Sequence, residues 1–201
     1  MDQVLLKIAR LNEIGIALSA ASDVNVLCDK ILTGAMELTD SDGASLYRLS
    51  DDKSALEFLI VSTRSLGIHM GGSSGHDIKF PAIPLWINDK PNKSNVVSAA
   101  VHVEKTINIP DAYHAEGFDF SGTRQFDQQT GYRTRSILTI PMKNHLDEII
   151  GVLQLINAKD EVTGATREFT NADQQLAESL ASQAAVAITN NILIDEQREL
   201  F

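Results

Sequence analysis

Apolar residues recur every three or four positions through the first forty residues, and that spacing predicts two helices. Val4, Ile8, Leu11 and Leu18, with Gly15 completing a 4-3-4-3 spacing, make a narrow stripe suited to a two-helix seam. Val24, Leu27, Cys28, Ile31, Leu32, Ala35 and Leu38 make a wider face, with Ser22 as the expected cap and Asp40, Ser41, Asp42 and Gly43 as the expected stop. The period then falls to two. Residues 44–49 and 56–61 read as antiparallel strands turned at Ser50, Asp51, Asp52 and Lys53. Four glycines between Gly67 and Gly75 dissolve the pattern, and Pro81 and Pro84 exclude a central strand over residues 80–86. A short helix is expected over 95–104 with Ser94 as its cap. Residues 111–135 read as irregular and polar, with one helical turn near 126–130.

Residues 136–142 and 149–156 form the most hydrophobic hairpin, with Gly151 marking a bulge or a close neighbour. Thr170 and Asp173, three apart, are spaced as a capping box. They open a helix whose stripe of Leu176, Leu180, Ala184, Ala187, Ile188 and Ile192 runs towards the end of the chain. That helix has no stop signal and is expected to continue into a further segment. Helices at both ends around an antiparallel sheet describe an α+β sandwich.

Composition narrows the function. A chain of 201 residues can bury a real core in one large domain. Its net charge of −10 disfavours phosphate backbones, so nucleic acid is not an expected partner. The single cysteine, Cys28, permits no intramolecular disulfide and is expected as a packed core thiol. No basic leader precedes an apolar run, and no apolar stretch reaches the length of about 18 residues that a span needs. A cytoplasmic location with no membrane contact in this segment is the expectation. The five histidines are scattered without metal-ligand spacing, and no phosphate loop, nucleophile elbow or dinucleotide fingerprint occurs. Polar and turn-forming residues crowd the stretch 108–135, just before the apolar hairpin. A ligand pocket held over a rigid sheet follows from that arrangement better than catalysis does.

Four runs carry a resemblance: Ile107 to Tyr113 (Ile-Asn-Ile-Pro-Asp-Ala-Tyr), Thr130 to Arg135 (Thr-Gly-Tyr-Arg-Thr-Arg), Ile140 to Met142, and Gly151 to Asn157 (Gly-Val-Leu-Gln-Leu-Ile-Asn). In order and spacing they resemble the GAF domain, in its cyclic-nucleotide phosphodiesterase and adenylyl cyclase branch. The chain is most similar to the GAF regions that precede HD-GYP metal-dependent phosphohydrolases in bacteria. The resemblance implies a six-stranded antiparallel sheet, terminal helices on one face and a ligand pocket on the other. It implies a GAF domain over 22–194, an N-terminal dimerisation helix over 1–21, and at 195–201 the start of a linker helix. It further implies a sensory domain with no catalysis of its own and no required cofactor. Its effector would be a small molecule such as a cyclic nucleotide. Its partners would be a second copy, through the terminal helices, and a covalently linked output domain, such as a metal-dependent cyclic-di-GMP phosphodiesterase.

Residue by residue, the resemblance places Ser45, Ser62, Asp127, Thr130, Thr134 and Gln154, with the backbone of Val97, at base, ribose or phosphate contacts. Arg133 and Arg135 stand where they could meet a small anion. The position of a purine-stacking aromatic falls on Ile60, Val61 and Ser62, so the resemblance supplies no stacking ring. The family's signature appears as Asn157, Phe169 and Asp173, with Ala158 in place of a lysine, Lys159 one position late, and Gln174 in place of a glutamate. In the family the lysine and the aspartate pair to steady the lid. The alternative reading is a structural dimerisation module with a vestigial pocket. Methionine-sulfoxide reduction needs several cysteines, and bilin attachment needs one in the pocket region.

Overall fold

The computed structural model describes residues 2–200; Met1 and Phe201, at the ends of the expected terminal segments, lie outside the described residues. Helix α1 spans Gln3–Ala20 and α2 spans Val24–Thr39. The cap of α2 is Asp23 rather than Ser22, its carboxylate accepting from Asn25 N at 2.7 Å, where its charge also faces the positive helix end. Asp40 ends α2 in the left-handed region at φ 53°. That single residue makes the turn, and Ser41 to Gly43 already belong to the first strand.

The strands are β1 (Ser41–Leu49), β2 (Ala55–Thr63), β3 (Ile68–Gly71), β4 (Ile83–Pro84), β5 (Trp86–Ile87), β6 (Lys90–Pro91), β7 (Ile107–Ile109), β8 (Ile137–Lys143), β9 (Ile149–Lys159) and β10 (Thr166–Arg167). Six of them form an antiparallel sheet in the order β3-β2-β1-β9-β8-β7, with β4 added to β2 and β10 added to β9. Pro84 and Pro91 sit only in two-residue edge strands, where a missing N–H costs no central ladder bond.

The remaining helices are α3 (Val96–Val103), α4 (Ser121–Thr130) and α5 (Asn171–Glu199). Asn95, not Ser94, caps α3, accepting from the N–H groups of Val97 and Ser98. The expected single turn near 126–130 is a ten-residue helix, α4. Thr170 and Asp173 form both bonds of a capping box at the start of α5.

Two hydrophobic cores lie on opposite faces of the sheet. On one face α2 and α5 pack over Leu46, Ile60, Leu138, Leu153 and Leu155, with α1 laid across both helices. Of the expected α1 stripe Leu11 and Leu18 are buried, joined by Ile14, while Val4 and Ile8 are exposed along a groove between α1 and the first turns of α5. Cys28 is buried there, and burial pushes its thiol up to about 12. On the other face Tyr47, Leu56, Ile137 and Val152 form a second core beneath α3 and the segment leading to α4.

Two irregularities shape the sheet. Leu46 pairs with Ile60 but Tyr47 pairs with Phe58, so Leu59 is an extra residue in β2. Met142 pairs with Gly151 but Lys143 pairs with Ile149, leaving Ile150 as the extra residue of β9. Gly151 is therefore beside a bulge and also a close approach, since a Cβ there would collide with the Tyr47 carbonyl.

Candidate functional site

On the second face the sheet, α3 and α4 enclose a cavity of about 250 Å³. Ser45, Phe58, Ser62 and Gln154 rise from the strands, while Val97, Phe120, Phe126 and Thr134 close it from the other side. Five of the seven expected contact residues meet here: Ser45, Ser62, Val97, Thr134 and Gln154. Gln154 also donates Nε2 to Thr139 Oγ1 at 3.1 Å, which fixes its amide plane.

Asp127 and Thr130 do not line the cavity. Asp127 is 3% exposed and turned into the protein, where it accepts from Tyr113 Oη at 2.7 Å, Thr134 N at 2.9 Å and Thr134 Oγ1 at 2.8 Å. It fastens the segment from Tyr113 to Thr134, the lid of this cavity, rather than offering itself to a ligand. Thr130 is exposed and donates back to Phe126 O at 2.7 Å within α4. The Val97 N–H is already bonded to the Asn95 cap at 2.9 Å.

The two arginines also serve the chain itself. Arg133 pairs with Asp111 at 2.9 Å and stacks 3.7 Å from the centre of the Tyr113 ring. Arg135 donates to Thr166 O at 2.8 Å. Neither lines the cavity, which has no lysine, arginine or histidine among its lining residues. Its one lining carboxylate is Asp119, held below the usual carboxylate range by the Ser121 N–H.

Aromatic rings are what the sequence reading missed. Phe58, Phe80, Phe120 and Phe126 all line the cavity, and a tilted series of rings runs from Tyr47 through Phe58 and Phe80 to Phe126 with centroid spacings of 4.4, 5.5 and 6.2 Å. Strict alternation would put Phe58 and Ile60 on one face. The extra residue Leu59 separates them, sending Ile60 into the helical core and Phe58 into the cavity.

Asn157 is a clamp with φ 54°, accepting from Arg135 N and donating to Arg133 O. Phe169 is buried in the helical core, and its carbonyl accepts from Asn108 Nδ2 at 3.1 Å. Asp173 is paired, but not by a residue of β9. Arg167, which faces Ala158 across the β9–β10 pair, reaches Asp173 at 2.6 Å. Lys159 instead donates to Thr166 Oγ1. The lid has a further fastening in Tyr132, whose hydroxyl donates to Asp42 at 2.7 Å; burial and then that carboxylate push its phenol up.

Among the described residues no cluster of His, Cys, Asp and Glu could hold a metal ion, and no helix is long and apolar enough to cross a membrane.

A family model for the GAF domain matches residues 23–188. The chain is 27% identical over 177 residues to a dual 3',5'-cyclic-AMP and -GMP phosphodiesterase 11A of Takifugu rubripes, covering 88% of this chain but only 18% of that protein. Among solved structures, the GAF domain of a phosphoenolpyruvate-protein phosphotransferase from Coxiella burnetii superimposes with a TM-score of 0.72 at 14% identity, over 97% of this chain and 99% of that one. A GAF domain/HD domain protein from Geobacter sulfurreducens gives 0.61 at 15% identity, over 88% and 98%. At these identities the structural likeness speaks for the fold alone.

Proposed function

The chain belongs to the GAF domain family and is a regulatory rather than a catalytic domain, and from that membership we propose that it senses a cyclic mononucleotide for a longer signalling protein. The observation that carries this reading is the cavity itself: it is unfilled by side chains, walled by aromatic rings and covered by a fastened lid. Phe58, Phe80 and Phe126 provide flat surface for a purine, with Ser45, Thr134 and Gln154 as hydrogen-bonding groups around it. Phosphate recognition falls to backbone, because no cation lines the site. Phe120 gives α4 no side-chain cap, and the Asp119 carboxylate takes only the Ser121 N–H of its first turn. The Gly122 and Thr123 N–H groups of that turn, on the cavity wall, are therefore the donors proposed for the phosphate beside that carboxylate.

The size supports one nucleotide rather than two. About 250 Å³ lies just under the range of roughly 300–1,000 Å³ common for small-molecule clefts, which favours a cyclic mononucleotide over the larger cyclic dinucleotide. The curated relative bears a name for acting on both cyclic AMP and cyclic GMP, which supports that ligand class for this chain.

The output reading rests on α5. Its 29 residues extend about 43 Å at 1.5 Å per residue, beyond the roughly 24 Å of β8, the strand it mainly covers. Its far end exposes Ile192, Leu193 and Ile194, and α1 exposes Leu5, Ile8 and Ile16. These surfaces support a homodimer through the terminal helices and a lever into an attached domain. An HD-type phosphohydrolase is the proposed output, a pairing that the name of the Geobacter protein also carries.

Isothermal titration with cyclic AMP, cyclic GMP and cyclic di-GMP tests the ligand. Heat with at least one mononucleotide and none with the dinucleotide is expected. No heat with either mononucleotide refutes the nucleotide reading.

A further inference from the structure

A hydrogen-bonded chain leaves the cavity wall and ends on three helices. Thr134 lines the cavity, and the residue after it is held at two points. The Arg135 N–H donates to Asn157 Oδ1 at 2.7 Å, and its Nη1 donates to Thr166 O at 2.8 Å. Asn157 also donates Nδ2 to Arg133 O at 2.8 Å. Residues 133–135 are therefore tied by these bonds to the β9–β10 ribbon, whose second strand is only two residues long.

The second of those two residues is Arg167, and its guanidinium spreads across the helical layer. Nη1 donates to Asp173 Oδ2 at 2.6 Å, at the start of α5, and to Glu168 O at 2.9 Å. Nη2 donates to Thr39 O at 3.4 Å at the end of α2 and lies 3.8 Å from Asp40 Oδ2. Asp40 in turn holds Lys7 of α1 at 3.1 Å. The Asp173 side chain is only 5% exposed, so this pair is less screened than a surface ion pair. One side chain thus touches α5 and α2 directly and α1 through Asp40.

We propose, resting on the reading of the cavity as an effector site, that Arg167 is the positioning residue that couples the cavity wall to the helical layer. An effector that tightens residues 133–135 draws in β10, and Arg167 passes the displacement to α5, α2 and α1 together. The capping box of Asp173 with Thr170 uses no atom of Arg167, so a variant at Arg167 cuts the coupling while both capping bonds keep their own donors and acceptors.

The test is a double-mutant cycle read by amide hydrogen exchange on the whole chain, with no ligand added. Thr134→Val keeps the side-chain shape but deletes its hydroxyl bond to buried Asp127, loosening the wall. In the wild-type background it should speed exchange over residues 133–136 and also over 174–180, the latter by about threefold. In an Arg167→Met background the local effect should persist while the added effect on 174–180 falls below about 1.3-fold. Arg167→Lys should restore at least part of the transmitted change, which a merely structural defect would not produce. Should Thr134→Val fail to fold, Tyr113→Phe removes the other hydroxyl donor to Asp127 and replaces it in the cycle. An unchanged threefold increment in Arg167→Met overturns the proposal, and so does the absence of any increment over 174–180 in the wild-type background. Because the cycle needs no nucleotide, its failure counts against Arg167 alone, whereas failed nucleotide titrations count against the effector reading.

Discussion

Replacing Asp127 separates a lid fastening from a ligand contact, and the structure sets the size of the effect. Asp127→Ala strips the acceptor from three donors: Thr134 N–H, Thr134 Oγ1 and Tyr113 Oη. The Tyr113 hydroxyl is only partly buried and turns to water. Thr134 is buried, so its amide is left without a partner, at about 1–3 kcal/mol, and its hydroxyl adds a smaller share because it can rotate. A total of about 3 kcal/mol follows for alanine. Asparagine differs in kind. Its Oδ1 can accept from Thr134 N and Tyr113 while its Nδ2 donates to Thr134 Oγ1, so only the strength of a charged acceptor is lost, about 1 kcal/mol. For a chain of this length each kcal/mol lowers Tm by roughly 2–4 °C, giving about 6–12 °C for alanine and about 2–4 °C for asparagine. Circular dichroism melts and urea unfolding at pH 7 measure both. Equal losses for the two variants, or a loss under about 0.5 kcal/mol for alanine, would refute the assignment of Asp127 as a three-bond fastening.

Gly151→Ala should cost about 3 kcal/mol or more in urea unfolding, because its Cβ meets the Tyr47 carbonyl, a backbone atom in the centre of the sheet that has no room to move. Phe58→Ala should weaken binding of whichever cyclic mononucleotide titrates by about 1–3 kcal/mol, measured by calorimetry, while Thr130→Ala leaves it within twofold. Asp52, bonded by Ser54 and Ser50, has its carboxyl held down to about 2, so the turn's contribution to stability is intact above the unfolded value near 4 and is lost as pH falls through about 2. A carbon-detected NMR titration should find that midpoint, and Ser54→Ala should raise it. Ile16, 73% exposed on α1, belongs to the proposed dimer surface, and Ile16→Glu should convert a sedimenting dimer to monomer.

The layers were legible because periodicity reports them directly. Both hairpins, the wide face of α2 and the Thr170 and Asp173 capping box all follow from residue spacing, and the box forms both of its bonds. What stayed hidden has particular causes. Helix α4 has a polar sequence in which Phe126 is the only large apolar residue, so its order comes from lid packing and not from an amphipathic stripe. The aromatic wall was concealed by one extra residue, Leu59, since a bulge leaves no mark in an alternating pattern. Arg167 was concealed for a different reason. Its pairing with Asp173 requires the two-residue strand β10, too short to announce itself, to bring an arginine opposite Ala158. Arg133 and Arg135 looked available for an anion because their partners, Asp111 and the Thr166 carbonyl, are distant in sequence.

Chemical-shift mapping with cyclic GMP and cyclic AMP on nitrogen-labelled protein probes the site itself. Perturbations should cluster on the amides of Ser45, Ser62, Val97, Gly122, Thr134 and Gln154, on the walls of one cavity. Saturating nucleotide that leaves those amides unmoved, or that shifts only the groove between α1 and α5, would contradict the assignment of this cavity as the effector site.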